Sequence, residues 1–281
     1  MSERRFRPKL NKKFFASRDG YDIYSVDAFA IRNHAQPDEE FDNFAIHDEF
    51  PDLIPEREVW MSQLAARREA EFFVADALAY FKALEDGASE DDAYDAGLRA
   101  DRYLREKITG LEYRDGEPHK RIPKKLYVQR YLTLEDEKFP ITVWLIDGML
   151  ARCYYKTDYT EGGHGIVYPW VPRDEIWIEK DLVPAEAPFI VVHEYIEHRL
   201  MRDRDYEYDK AHRICSEIEF DLRQGRTRPD FPGFTRRHPR KSDLHAITRP
   251  EFFEYVEREY VKNVFRRARA FASDLVGTIL S

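Results

Sequence analysis

The clearest periodicities lie in the second half of the chain. "ITVWLID" (Ile141 to Asp147) and "DEIWIE" (Asp174 to Glu179) are rich in β-branched and aromatic residues and alternate as strands do. After Pro184 the spacing becomes helical: "AEAPFIVVHEYIEHRLMRD" places Phe189, Val192, Ile196 and Leu200 on one face. "YDKAHRICSEIEFDLR" continues in the same way through Ala211, Ile214, Ile218 and Leu222. A short turn around Asp203-Arg204-Asp205 folds the two segments into a hairpin. Beyond Gln224-Gly225, "GRTRPDFPGFTRRHPRKSD" reads as a Pro- and Arg-rich loop. "PEFFEYVEREYVKNVFRRARAFASDLVGTIL" then reads as one long amphipathic C-terminal helix.

The first half repeats this pattern. "YSVDAFAIRN" from Tyr24 aligns with "WLIDGMLARC" from Trp144 at an offset of 120. "IPEREVWM" from Ile54 aligns with "VPRDEIWI" from Val171, and "EAEFFVADALAYFKALED" from Glu69 with "EAPFIVVHEYIEHRLMRD" from Glu186, both at 117. "DDAYDAGLRADRYLR" from Asp91 aligns with "DKAHRICSEIEFDLR" from Asp209 at 118. Four blocks in one order at nearly constant offset indicate an internal duplication. Shared residues such as Pro55/Pro172, Trp60/Trp177, Phe72/Phe189, Ala93/Ala211 and Leu104/Leu222 are mostly of structural type. The expected fold is α+β, with two divergent repeats, each of a few strands followed by a helical hairpin, and a long C-terminal helix. The expected boundaries are an N-terminal repeat over 8–107, a linker over 108–122 and a second repeat over 123–224. A basic loop over 225–249 and the C-terminal helix over 250–281 follow.

Composition narrows the function classes. A chain of 281 residues with 43% hydrophobic and 35% charged residues is that of a folded domain with a sizeable core. A net charge of −9 gives no general reason for nucleic-acid binding, and the basic stretches "SERRFRPKLNKK" and "TRRHPRK" read as solvated segments. Two cysteines, Cys153 and Cys215, indicate no disulfide framework. There is no signal-peptide apolar run and no stretch of membrane-spanning length, so a cytoplasmic address is expected.

The duplication also points to where chemistry resides. Where the second copy has His193, Glu194, Glu197, His198, His212 and Glu219, the first has Asp76, Ala77, Tyr80, Phe81, Tyr94 and Asp101. The fold therefore does not need the second set in order to pack. In "VVHEYIEHRL", His193 and Glu197 are four apart and share a helical face, as do Glu194 and His198. His193 and Glu197 serve as metal ligands if Glu194, at i+1, is the general base; Glu194 and His198 are the rival ligand pair. His212 on the next helix restores a third ligand, and two imidazoles with one carboxylate is a catalytic zinc set that leaves a position open for water. Glu219, seven residues further on the same face, is a candidate fourth or alternative ligand, or a carboxylate orienting His212.

These residues resemble those of the zincin metallopeptidases, in particular members that take their third ligand from the helix following H-E-x-x-H. The resemblance covers about His193 to Glu219 and departs at Glu197, which stands where the family has histidine. It implies a zinc-dependent hydrolase acting on a peptide or protein substrate, with an edge strand near the site that aligns the substrate; "DEIWIE" fits that place. A carboxylate ligand also suits iron or manganese. Upstream, Gly162-Gly163-His164-Gly165 surrounds a histidine with residues that permit close backbone approach. His164 either reaches the metal or substrate carbonyl, or sits exposed in a β-turn; Glu161 and Tyr168 are weaker candidates. His198 reads as a residue behind the site or on the surface, and His238 and His245 as exposed loop residues. Two other readings stay open. One is a non-hydrolytic iron protein using Glu194, Glu197, His212 and Glu219; the other is an interaction protein of a larger assembly with a stabilising metal. The C-terminal helix is a candidate surface for a protein partner.

Overall fold

A computed structural model of the chain describes residues 10–35, 37, 41–114, 122–226 and 239–261. The first repeat contains β1 (Lys13–Arg18), β2 (Tyr21–Val26), α1 (Ala28–Arg32), β3 (Phe44–Ile46), β4 (Glu58–Ser62), α2 (Ala66–Glu85) and α3 (Glu90–Thr109). The second repeats the order: β5 (Tyr127–Leu134), β6 (Ile141–Ile146), α4 (Gly148–Tyr154), β7 (Gly162–His164), β8 (Glu175–Glu179), α5 (Ala187–Arg204) and α6 (Tyr208–Arg223). Both sheets have four strands, ordered β1-β2-β4-β3 and β5-β6-β8-β7, with a parallel central pair flanked by antiparallel edges. The fold is α+β and duplicated, as expected.

The register makes the two copies equivalent residue by residue. Trp60 pairs with Tyr24 across β4 and β2, and Trp177 with Trp144 across β8 and β6. Each of these tryptophans donates its indole N–H to the glutamate two residues earlier on its strand, Glu58 at 2.6 Å and Glu175 at 2.7 Å. Asp27 and Asp147 both cap the short helix that follows, accepting from the backbone N–H of Ala30 and Leu150. On the edge strands, Ile46 faces Val59 and His164 faces Ile176, so His164 occupies the place that Ile46 holds in the first copy.

Two departures from the sequence expectations bear on the site. β8, the "DEIWIE" strand, is paired on both sides, by β6 and β7, so the edge strand beside α5 is the three-residue β7. The helix α5 is not amphipathic in the usual sense, because thirteen of its residues are buried, including His193, Glu197 and His198. The cause is a second cover. Lys241–Thr248 forms a 3₁₀ helix inside the expected basic loop, and α7 (Pro250–Val256) runs into a π-helical turn at Glu257–Val261. Leu244, Ile247, Phe252, Phe253, Val256 and Tyr260 pack into one core with α5, α6 and the second sheet. The described part of the C-terminal helical segment thus closes the second repeat; the rest of that expected helix lies outside the described residues. None of the described helices is long and apolar enough to cross a membrane.

Candidate metal centre

The hairpin of α5 and α6 brings three donor atoms to one point. His193 Nε2 lies 3.1 Å from His212 Nδ1 and 3.6 Å from Glu197 Oε2, and the last two are 2.9 Å apart. Ligands at about 2.0–2.1 Å on a tetrahedral zinc stand about 3.3 Å from one another, so this triangle accepts an ion with shifts of a few tenths of an ångström. The ring environment selects the right lone pair on His193. Its Nδ1–H donates to Glu219 Oε2 at 2.9 Å, which turns Nε2 toward the other two donors. His212 stacks on Tyr208, ring centroids 5.1 Å apart, which steadies its ring at the more open side of the triangle.

Electrostatics follow from burial and from this convergence. Burial opposes ionisation of Glu197, but hydrogen bonds from His164, His193 and His212 outweigh it and hold the carboxyl well below the usual range. Burial likewise opposes protonation of His193, and its bonds to Glu197 and Glu219 more than offset it, so its pKa lies well above 6.5. Without a cation the triangle is thus held together by protons, for which a metal would compete. Glu219, although buried, stays ionised because Arg223 and then His193 lie against it. Arg223 binds its Oε1 through Nε at 2.8 Å and Nη2 at 2.6 Å.

The remaining candidates fall into distinct places. His164 is fully buried at the end of β7, with Nε2 at 3.1 Å from Glu197 Oε1. Its Nδ1 accepts from the backbone N–H of Ile166 at 3.3 Å, so the proton sits on Nε2 and is donated to Glu197. Together with Glu194 and Glu197 it forms a second cluster of mutually close donors. His164 holds the Glu197 carboxylate from the side of β7, and the exposed-turn alternative does not describe it. Glu219 stands behind His193 and is taken up by Arg223, outside the converging triangle. His198 is buried against Phe139 and His164, and burial above all drives it down to about 3, so it is a neutral core residue. His245 is exposed, and His238 lies outside the described residues.

The glycines around His164 act through space. A Cβ on Gly162 would lie 2.7 Å from Ile190 Cγ2 and 3.0 Å from Glu194 Oε1, and one on Gly163 would meet Tyr168 at 2.4 Å. Their absence lets β7 approach α5 closely enough for His164 to reach Glu197. Glu194 lies over this strand, half-buried, at the wall of a cavity of about 150 Å³ that also exposes His193, Glu197, His212, Tyr168 and Tyr208. Burial and then the Glu197 charge push Glu194 up to about 8. The opposite wall belongs to the first repeat: Arg32, Ala35, Pro37, Phe41 and Asp42. Sequence reasoning missed this wall and the buried arginine in it. The available signal was that Arg32 and Arg152 fall at the same position of the first aligned block. Arg32 bonds Glu161, a cavity residue whose pKa burial pushes well above the carboxylate range against the pull of that arginine.

Comparison with known proteins adds no relative: no family model, no curated protein and no solved structure matches this chain.

Proposed function

We propose that the chain is a metal-dependent hydrolase of zincin type, binding one zinc ion through His193, Glu197 and His212 and acting on a peptide bond. The observation that carries this reading is the triangle of donor atoms opening onto a cavity, with a carboxylate behind His193 and a histidine behind Glu197 that fix which atoms face the ion. A divalent metal there would supply Lewis acidity toward a carbonyl and lower the pKa of a water it holds. The chain's own part is to hold and move a proton. Glu194, beside the triangle and lining the cavity, takes a proton from the attacking water and returns it to the leaving amine. Its raised pKa keeps proton exchange within reach of neutral pH, and a nearby dication would lower it toward the working range. Tyr168 and Tyr208 line the same cavity and are the candidates for donating to developing oxyanion charge, a role His164 cannot fill from behind Glu197. The iron alternative loses a ligand, because Glu219 is already engaged by His193 and Arg223.

The test is peptide hydrolysis by the purified chain against a mixed peptide library, with and without chelator. Cleavage that chelation abolishes and zinc restores supports the reading. Chelator-insensitive cleavage, or metal binding with no cleavage in any library, would remove the hydrolase assignment.

A further inference from the structure

The two repeats exchange buried arginines. Arg152 of the second repeat reaches Glu69 of α2, with Glu179 Oε1 at 2.5 Å and the Tyr159 carbonyl at 2.6 Å. Its counterpart Arg32 in the first repeat reaches Glu186, which precedes α5, at 3.1 Å, as well as Glu161 and the carbonyls of Phe41 at 2.7 Å and Asp42 at 2.8 Å. Glu69 and Glu186 occupy aligned positions in the duplication. Each is shared with an arginine of the second hairpin helix, Arg105 at 2.7 Å and Arg223 at 3.4 Å. Each of those arginines also grips an acid one turn earlier, Asp101 or Glu219. The series arginine, glutamate, arginine, acid thus occurs twice, once in each direction across the interface.

The two series end differently. In the second repeat Glu219 goes on to accept from His193 Nδ1. In the first, the position of His193 is held by Asp76, and no metal-binding set of His, Cys, Asp or Glu is found there among the described residues. We propose that Arg32 is a positioning residue for the metal centre, supplied across the interface by the repeat that carries no ligand set. By holding Glu186 and Glu161 it leaves Arg223 committed to Glu219, whose carboxylate aims His193 Nε2 into the donor triangle. Without Arg32, the buried Glu186 is left to Arg223 alone among its arginine partners here. Arg223 is then drawn off Glu219, and the carboxylate that orients His193 loses its anchor. The first repeat therefore completes the site in two ways, as the far wall of its cavity and as the source of this guanidinium.

The inference rests on the metal-centre reading, and the reciprocal arginine supplies the control. Zinc affinity is measured by chelator competition on the full chain for wild type, Arg32→Met, Arg152→Met, Glu219→Gln and the Arg32→Met/Glu219→Gln double variant. Both arginine variants lose an equivalent buried ion pair, and both melt at lower temperature. Arg32→Met and Glu219→Gln should each weaken zinc binding about tenfold or more, the double variant no further than the worse single, and Arg152→Met by less than about twofold. The absorption spectrum of the cobalt-loaded chain should shift in Arg32→Met and not in Arg152→Met. If Arg32→Met does not fold, Arg32→Lys keeps the charge without the planar fork and should give a smaller loss in the same direction. Equal affinities for the Arg32 and Arg152 variants, additive losses in the double variant, or unchanged affinity in Arg32→Lys would overturn the proposal. A wild-type chain that binds no metal would overturn the metal-centre reading itself.

Discussion

Asp76 stands where the second repeat has His193, and its environment makes a quantitative prediction about stability. The side chain is buried on α2, with one oxygen against Gly97, where an added Cβ would lie only 2.2 Å away. Burial, then the charges of Asp101 and Glu49, push its pKa from 3.8 up to about 8. The folded state therefore holds a proton that the unfolded chain releases near pH 4. The sign follows: Asp76 costs nothing below pH 4, and stability falls as pH rises from there toward 8, where the loss levels off. A shift of about four units corresponds to at most about 5–6 kcal/mol at 1.36 kcal/mol per unit, and relaxation around the ionised group would reduce this to about 2–3 kcal/mol. Asp76→Asn keeps the shape and removes the titration. Urea unfolding of both proteins at pH 4 and pH 8 isolates the term, because other titrating groups such as Glu49 are common to both. The variant should match wild type at pH 4 to within about 1 kcal/mol and exceed it by about 2–3 kcal/mol at pH 8. Parallel pH dependence in the two proteins would refute the reasoning and show Asp76 ionised in the fold.

Two further outcomes bear on the site. Glu194→Gln should retain zinc while its hydrolytic rate falls by about 10²–10⁴, measured as turnover against metal content; equal loss of both would make Glu194 a ligand. Gly162→Ala should cost about 1–3 kcal/mol by thermal melting and displace Glu194, because the new methyl meets Ile190 and Glu194. An unperturbed Gly162→Ala protein with full activity would mean that the close approach of β7 to α5 is not needed.

Much of the fold was legible in the chain because duplication allows the sequence to be compared with itself. The offsets of 120 and 117 reappear as the register of β2 with β4 and of β6 with β8. The candidate pair His193 and Glu197 followed from helical spacing, and His212 from the hairpin. His164 was harder to place, because β7 has three residues, two of them glycine, and shows no alternation. Its neighbours' small size reads equally well as a turn, and only the pairing of β7 with β8 turns the histidine inward. The buried arginines were hidden for another reason. Arg32 and Arg152 find Glu186 and Glu69 across the repeat interface, a relation that no local pattern encodes. Their identity between copies was visible, yet charged identities in helices ordinarily mark solvated faces. Likewise, α5 exceeded its expected apolar face because the cover from 241–261 is distant in sequence.

The proposed function stands on one zinc ion bound between α5 and α6. Its most direct test is metal content by mass spectrometry for wild type, His193→Ala and His212→Ala, each purified without chelator and after dialysis against added zinc. About one equivalent of zinc is expected in wild type and a substoichiometric residue in both variants. Wild-type protein that stays metal-free after zinc dialysis, or His212→Ala protein that retains a full equivalent, would contradict it.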